Sequence, residues 1–209
     1  MFKRPRFVIA LLALSFSGVA AAQEVYRDAP TPQNASIPGA TPLPQWSLSP
    51  STGVKASLDV SEREVPGGRS TRVVKVDYDF QKNAGYVIAR LPLNIDLPPY
   101  YRVAFTASAS GATNTLECKL VDGSVRGIAA DPVGDNVWWY VERPLVTGEA
   151  HRFSLPRRKF SFAWGPGGDR AELKRLGALE FAITASEGGQ GTVELSDITI
   201  EQQPAPLPY

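Results

Sequence analysis

The sequence predicts an all-β protein, a sandwich of packed antiparallel sheets, and three observations predict it. Short segments alternate apolar and polar residues with a period of two, the mark of a half-buried strand. Clusters rich in Gly and Pro separate them: VPGG, LPP, SGATN, PVGD, PGGD and EGGQG. Only DRAELKRLG reads as a helix, and it is short, with Asp169 at the N-cap position. Many short strands between tight turns, with one short helix, fit two sheets around a single core.

The strands follow in order. RVVKVDYDF sets Val74, Val76, Tyr78 and Phe80 against Lys75, Asp77 and Asp79. YRVAFTASA, TLECKLV, NVWWYVER, HRFSLP, KFSFAW, ALEFAITAS and GTVELSDITIE continue the series. In the last of these, Val193 and Leu195 share one register while Ile198 and Ile200 share the other. That change of parity requires a β-bulge or a switch of sheet near Ser196 and Asp197. No internal repeat is visible.

The flanks differ in composition. Residues 1–22 read as a secretory signal: Lys3, Arg4 and Arg6, an apolar run from Phe7 to Phe16, then Ala20, Ala21 and Ala22 before a cut. The apolar run is shorter than the roughly 20 residues a membrane helix needs. Export to a periplasm or the cell exterior is the expectation. Residues 23–45 read as a Pro/Ala/Thr-rich linker, residues 46–201 as the folded domain, and residues 202–209 as a Pro-rich tail.

Composition removes several functions. A net charge of +1 gives no electrostatic footprint for nucleic acid. Cys118 is the single cysteine, so an exported chain has no internal disulfide and is held by packing. Its alternation with Leu116 and Leu120 makes it a small buried residue. His151 is the single histidine, and no GxSxG elbow, phosphate loop or transition-metal set accompanies it. It reads as an edge-strand or surface residue. A glycosidase or lyase needs only two carboxylates, and Asp77, Asp79, Glu117, Asp122, Asp135 and Glu142 supply candidates. On exposed strand faces such residues are ordinarily just solvated.

The tandem indoles of NVWWYVER carry the functional expectation. Val137, Trp139 and Val141 share one parity and are apolar, which assigns Trp139 to the core. Asn136, Trp138, Tyr140 and Glu142 share the other, mixing polar and aromatic groups as a ligand-facing surface does. A sugar offers an apolar C–H face and a rim of hydroxyls, so its site combines flat aromatics with fixed amides, carboxylates and cations. Trp138, Tyr140, Asn136 and Glu142, with the neighbouring Lys119 and Asp122, are of those types. The alternative buries both tryptophans. In RRKFSFAWGPGG, Phe160, Phe162 and Trp164 alternate, and Trp164 is placed as a lid at the sheet's end. Arg157, Arg158 and Lys159 either form a solvated edge or assist a ligand site.

At these residues the chain resembles a known family. NTLECKLVDG, GDNVWWYVERPL and RRKFSFAWGPGGDRAELKRLGALEFAITASEGGQGTVELSDITI are similar to galactose-binding-like domains of the discoidin or coagulation factor 5/8 type. In large bacterial carbohydrate-active proteins these are N-terminal non-catalytic domains, and many carbohydrate-binding modules share their fold. The resemblance covers most of Val73 to Ile200. It implies a jelly-roll β-sandwich of two antiparallel sheets and non-catalytic glycan binding. Many sandwiches of this class hold a structural Ca²⁺ between loops, for which Asp59, Glu62 and Asp197 would be oxygen ligands, although no compact calcium motif is present. LVDGSVRGIAADPVGDN carries an insertion between Asp122 and Asp135 that would cover or extend the site. In similar larger proteins the module sits beside other domains, often a catalytic one; here the sequence ends at Tyr209, and a separately encoded carbohydrate-active enzyme is the expected partner besides the glycan. The leading expectation is thus an exported glycan-binding sandwich. A protein-interaction module of the cell envelope and a two-carboxylate glycosidase or lyase are the alternatives.

Overall fold

The structure, a computed structural model, describes residues 22–29, 45–65, 68–112, 114–123, 135–142, 148–185 and 187–206. Residues 1–21 of the segment read as a signal, the stretch after Gly123 read as an insertion, and most of the stretch read as a linker lie outside the described residues. Among those described, the strands run in order as β1 (Gln23–Arg27), β2 (Ser47–Pro50), β3 (Lys55–Val65), β4 (Arg69–Asp79), β5 (Gly85–Asp96) and β6 (Tyr101–Gly111). They continue as β7 (Thr115–Asp122), β8 (Val137–Glu142), β9 (His151–Pro156), β10 (Ser161–Trp164), β11 (Arg175–Ala185) and β12 (Gln190–Gln202).

They build two six-stranded antiparallel sheets. The first has the order β3-β4-β12-β6-β9, with β1 also paired to β12; the second has the order β10-β8-β7-β11-β5-β2. The chain passes repeatedly from one sheet to the other, the jelly-roll sandwich the sequence led us to expect. Alternation sends Val74, Val76, Tyr78 and Phe80 inward from one sheet and Leu116, Cys118 and Leu120 from the other. Phe105 lies between the layers, stacked on Phe153 and edge-on to Phe181, each at 4.8 Å. Cys118 is sealed in this core, and burial pushes its thiol pKa up, the opposite of what a nucleophile needs. His151 is exposed at the start of the edge strand β9, edge-on to Phe153.

The parity change in GTVELSDITIE is a β-bulge. The register of β12 on β6 shifts between Ser196 and Thr199, and Asp197 takes a left-handed φ of 51°. Val193, Leu195, Ile198 and Ile200 all remain buried as a result. On its other edge β12 is paired twice in tandem, with β4 along residues 190–196 and with β1 beyond Ile198.

Three expectations are corrected. Strand structure is already present at Gln23, because QEVYR, read as linker, is β1. Behind it Asp28 is buried, accepting hydrogen bonds from the Trp46 indole at 3.0 Å and from Arg72 at 2.8 Å. DRAELKRLG forms no α-helix: a 3₁₀ turn at Gly168–Arg170 gives way to extended backbone at Ala171. Its carbonyls at Lys174 and Arg175 accept the amides of Leu97 and Gly123, so tertiary pairing overrides local propensity. Asp59, Glu62 and Asp197 do not converge on a calcium site. Asp59 and Glu62 are three residues apart on β3, hence on opposite faces, across from Lys75 and Arg72. Among the described residues no three acidic, His or Cys side chains form a metal-sized cluster.

Candidate functional site

The candidate site follows from which residues the second sheet must bury. Leu116, Cys118 and Leu120 commit one face of β7 to the core, so Glu117, Lys119 and Val121 point outward. β8 lies beside β7 with Trp138 opposite Leu120 and Trp139 opposite Lys119. The expected orientation of the two indoles is therefore reversed. Trp138 is the core residue, 9% exposed and edge-on to Phe162 at 5.6 Å, while Trp139 is on the outer face. The apolar set Val137, Trp139 and Val141 misled because the outer face has its own apolar patch: Val121, Val137 and Ala178, with Ala163 packed against them.

Trp164 reaches the same face through a second irregularity. Phe162 lies opposite Trp138 and points inward, but the register of β10 shifts before Trp164. The shift breaks the alternation of Phe160, Phe162 and Trp164 and turns Trp164 out, 47% exposed. Its ring meets Trp139 edge-on at 6.0 Å, and the Lys119 ammonium stands 5.2 Å from its centroid. The same ammonium is ion-paired to Glu117 at 2.9 Å.

The pairing register extends this cluster across the sheet. Ser47, Arg90, Glu180, Lys119, Trp139 and Ser161 lie opposite one another in a single row through all six strands. At the usual interstrand spacing the row is about 24 Å long. Arg90 is ion-paired to Glu180. Ala178 and Ala182 flank Glu180 along β11 with small side chains. Glu117, Lys119 and Glu180 are only 6%, 7% and 9% exposed although they belong to an outward face. Charges so desolvated are kept by mutual pairing, which fixes their positions before a ligand arrives.

The remaining sequence-predicted residues divide by role. The Asn136 amide donates to Asp122 at 3.2 Å, and its carbonyl oxygen accepts the Gly167 amide at 2.8 Å. This pair braces the Gly-Pro-Gly-Gly turn that carries Trp164. Gly165 sits there at φ 135°, where a Cβ would come within 2.5 Å of the Asn136 backbone. Tyr140 and Glu142 share the inward parity of Trp138 near the end of β8, and the phenol donates to the carboxylate. Burial, helped by Glu142, pushes the Tyr140 pKa up to about 12. Trp138 contributes to a cavity at the end of the sandwich together with Phe162, Arg157 and Arg158, so those arginines rim a concavity. Of the predicted set, then, Lys119 and Trp164 meet on the outer face. Asn136 and Asp122 support it from below, and Trp138, Tyr140 and Glu142 lie on the other side of the sheet.

Sequence reasoning missed Trp139, Glu180 and Arg90. A signal for the last two exists. Each is the single charge in an apolar strand, Glu180 in ALEFAITA and Arg90 in YVIARLPL.

No family model matches the chain, and no curated protein matches it by sequence. Solved structures do match. A family 11 carbohydrate-binding module from Clostridium thermocellum, in complex with a β-1,3-1,4-mixed-linked tetrasaccharide, has a TM-score of 0.59 at 16% identity, covering 88% of this chain and 96% of that one. The family 11 module of the cellulosomal cellulase Lic26A-Cel5E of the same organism gives 0.57 at 17% identity, over 81% of this chain and 93% of that one. The chain shares the two-sheet β-sandwich fold of these modules.

Proposed function

We propose that the chain is a non-catalytic carbohydrate-binding module and that a glycan chain lies across the outer face of the second sheet. The observation that carries this reading is the single row from Arg90 through Glu180 and Lys119 to Trp139, with Trp164 beside its end. An indole platform supplies the C–H stacking surface, and fixed carboxylates and cations supply partners for hydroxyls. The row is a shallow track across strands, which suits the interior of a polysaccharide. Glu117 and Glu180 are each ion-paired to a cation, which favours binding over acid–base chemistry by a carboxylate pair. Similarity of fold to modules solved with or named for carbohydrate supports the same reading.

Export is part of the proposal. A cut after Ala22 leaves β1 whole, since that strand begins at Gln23. Among the described residues no helix is long and apolar enough to cross a membrane.

The test is retention of the mature chain on insoluble polysaccharides and on a glycan array that includes mixed-linkage β-glucan. Binding is expected to be weak per site, because sugar hydroxyls exchange water hydrogen bonds at little net gain. Trp139→Ala and Trp164→Ala should abolish retention while the folded spectrum stays intact. Retention unchanged in both variants, or none on any glycan, removes the reading.

A further inference from the structure

A second concavity lies apart from the outer face, at the end of the sandwich where β9 and β10 leave the two sheets. Its volume is about 710 Å³, within the range of pockets that enclose small ligands. Besides side chains of β8 and β10, its walls come from Pro99 to Tyr101, from Pro156 to Arg158 with Phe160, from Leu173, and from the chain after β12, where Gln203, Pro204 and Pro206 face it. The last wall is tied down, for the Gln203 amide donates to the Tyr100 carbonyl at 2.8 Å. The proline tail read from the sequence is therefore in part a wall of this cavity.

The lining has a consistent chemistry. Trp138, Phe160 and Phe162 present flat aromatic surface, and Tyr100, 45% exposed, stands at the mouth. Gln203 adds an amide that can both donate and accept. Arg157 and Arg158 add two guanidinium groups, and no acidic side chain lines the cavity among the described residues. Neither arginine has an ion-pair partner among those residues. Arg157 is held in place by donating to the Pro99 carbonyl at 3.1 Å. In the row on the outer face every charge is paired; here two positive charges line a cavity with aromatic walls and have no acidic partner among the described residues. A guanidinium left unpaired at a pocket mouth is a preformed partner for a carboxylate.

We infer that this cavity is a second binding site, and that it takes a carboxylate-bearing sugar, a uronic acid unit of a short acidic oligosaccharide. The aromatic walls contact the C–H face of the ring, Arg158 and Arg157 bind the carboxylate, and Gln203 meets hydroxyls. Arg158 is solvent-exposed and makes no ion pair or side-chain hydrogen bond among the described residues, so its substitution separates binding from folding.

The probes are methyl β-D-glucuronide, its uncharged counterpart methyl β-D-glucoside, and benzoate. Binding is read from the indole N–H resonance of Trp138, assigned by its loss in Trp138→Phe, with that of Trp139 as the marker of the outer face. The glucuronide should shift the Trp138 resonance and leave Trp139 unmoved. Arg158→Gln should weaken this binding at least about tenfold, the loss of one charge-assisted hydrogen bond, with thermal stability unchanged. Trp139→Ala should leave it intact while removing polysaccharide retention, so that each site can fail alone. Equal shifts from glucoside and glucuronide overturn the inference, because the arginines then contribute nothing. No shift from the glucuronide, a shift from benzoate alone, or loss of glucuronide binding in Trp139→Ala but not in Arg158→Gln overturns it as well.

Discussion

Which of two adjacent indoles can meet a ligand is decided by a single residue across the ladder. Leu120 is fully buried, and Trp138 lies opposite it, so Trp138 joins the core and Trp139 is turned out. Truncating each residue should then give opposite results. Trp138→Ala leaves a large void against Phe162 and should cost about 3–5 kcal/mol in urea unfolding. Trp139→Ala should cost less than about 1 kcal/mol, and its effect should be on glycan retention. Equal destabilisation by the two would reverse the assignment. Asn136 is a positioning residue rather than a ligand. Asn136→Ala leaves the Gly167 amide without its acceptor and should cost about 1–3 kcal/mol. Because it loosens the turn that carries Trp164, it should also weaken retention on polysaccharide, an effect that a distant core truncation of similar cost would lack. The parity of β8 was not legible because Val137 looks like a core residue and serves instead in the apolar floor of the outer face. Trp164 belongs to the expected set, but its side of the sheet was not legible: one shifted register after Phe162 decides it, and no residue type announces that shift. Lys119 was legible because Leu116, Cys118 and Leu120 alternate around it and fix the inward face of the strand.

At the scale of elements, β12 organises the first sheet. It pairs with β6 along one edge and with β4, then β1, along the other. The handover falls where Asp28 joins Arg72 of β4 to the indole of Trp46. Asp28→Ala strips the guanidinium of its buried partner and leaves the Trp46 N–H unsatisfied; the expected cost is about 3 kcal/mol. Hydrogen exchange should show where that cost acts, with the amides of β1 exchanging faster while those of β7 and β11 stay protected. Uniform acceleration across both sheets would mean that β1 is not an independently released unit. The bulge in β12 was legible from two pairs of apolar residues out of phase. β1 was not, because five residues beside a Pro-rich stretch show no pattern of their own, and their partners lie at the far end of the chain. The helix read in DRAELKRLG failed similarly, since its carbonyls are taken by Leu97 and Gly123.

For the molecule as a whole, a single cysteine leaves no internal disulfide to join the layers, and four tyrosines report how well they pack. Burial raises the phenol pKa of Tyr26, Tyr78, Tyr101 and Tyr140 above its ordinary value, to about 12 for Tyr101 and Tyr140. Raised in this way, the folded chain keeps phenolic protons that the unfolded chain gives up from about pH 10. Stability from these groups is therefore complete below about pH 10 and declines as pH rises toward the folded values. At the acid end the sign is opposite. The Arg102 guanidinium holds Glu201 below its usual pKa, so that contribution is present at neutral pH and lost as pH falls through the depressed value. The urea midpoint should then be flat across neutral pH and fall above about pH 10. Phenolate absorbance of the native chain should lag behind that of the unfolded chain over the same range. Tyr101→Phe should flatten part of the alkaline fall, because its hydroxyl is covered on folding. A midpoint that stays constant to about pH 11 would mean that these phenols ionise freely in the folded state. The end of the sandwich around Tyr101 would then be open to water, and the wall it shares with the arginine-rimmed cavity would lack the rigidity a preformed site requires.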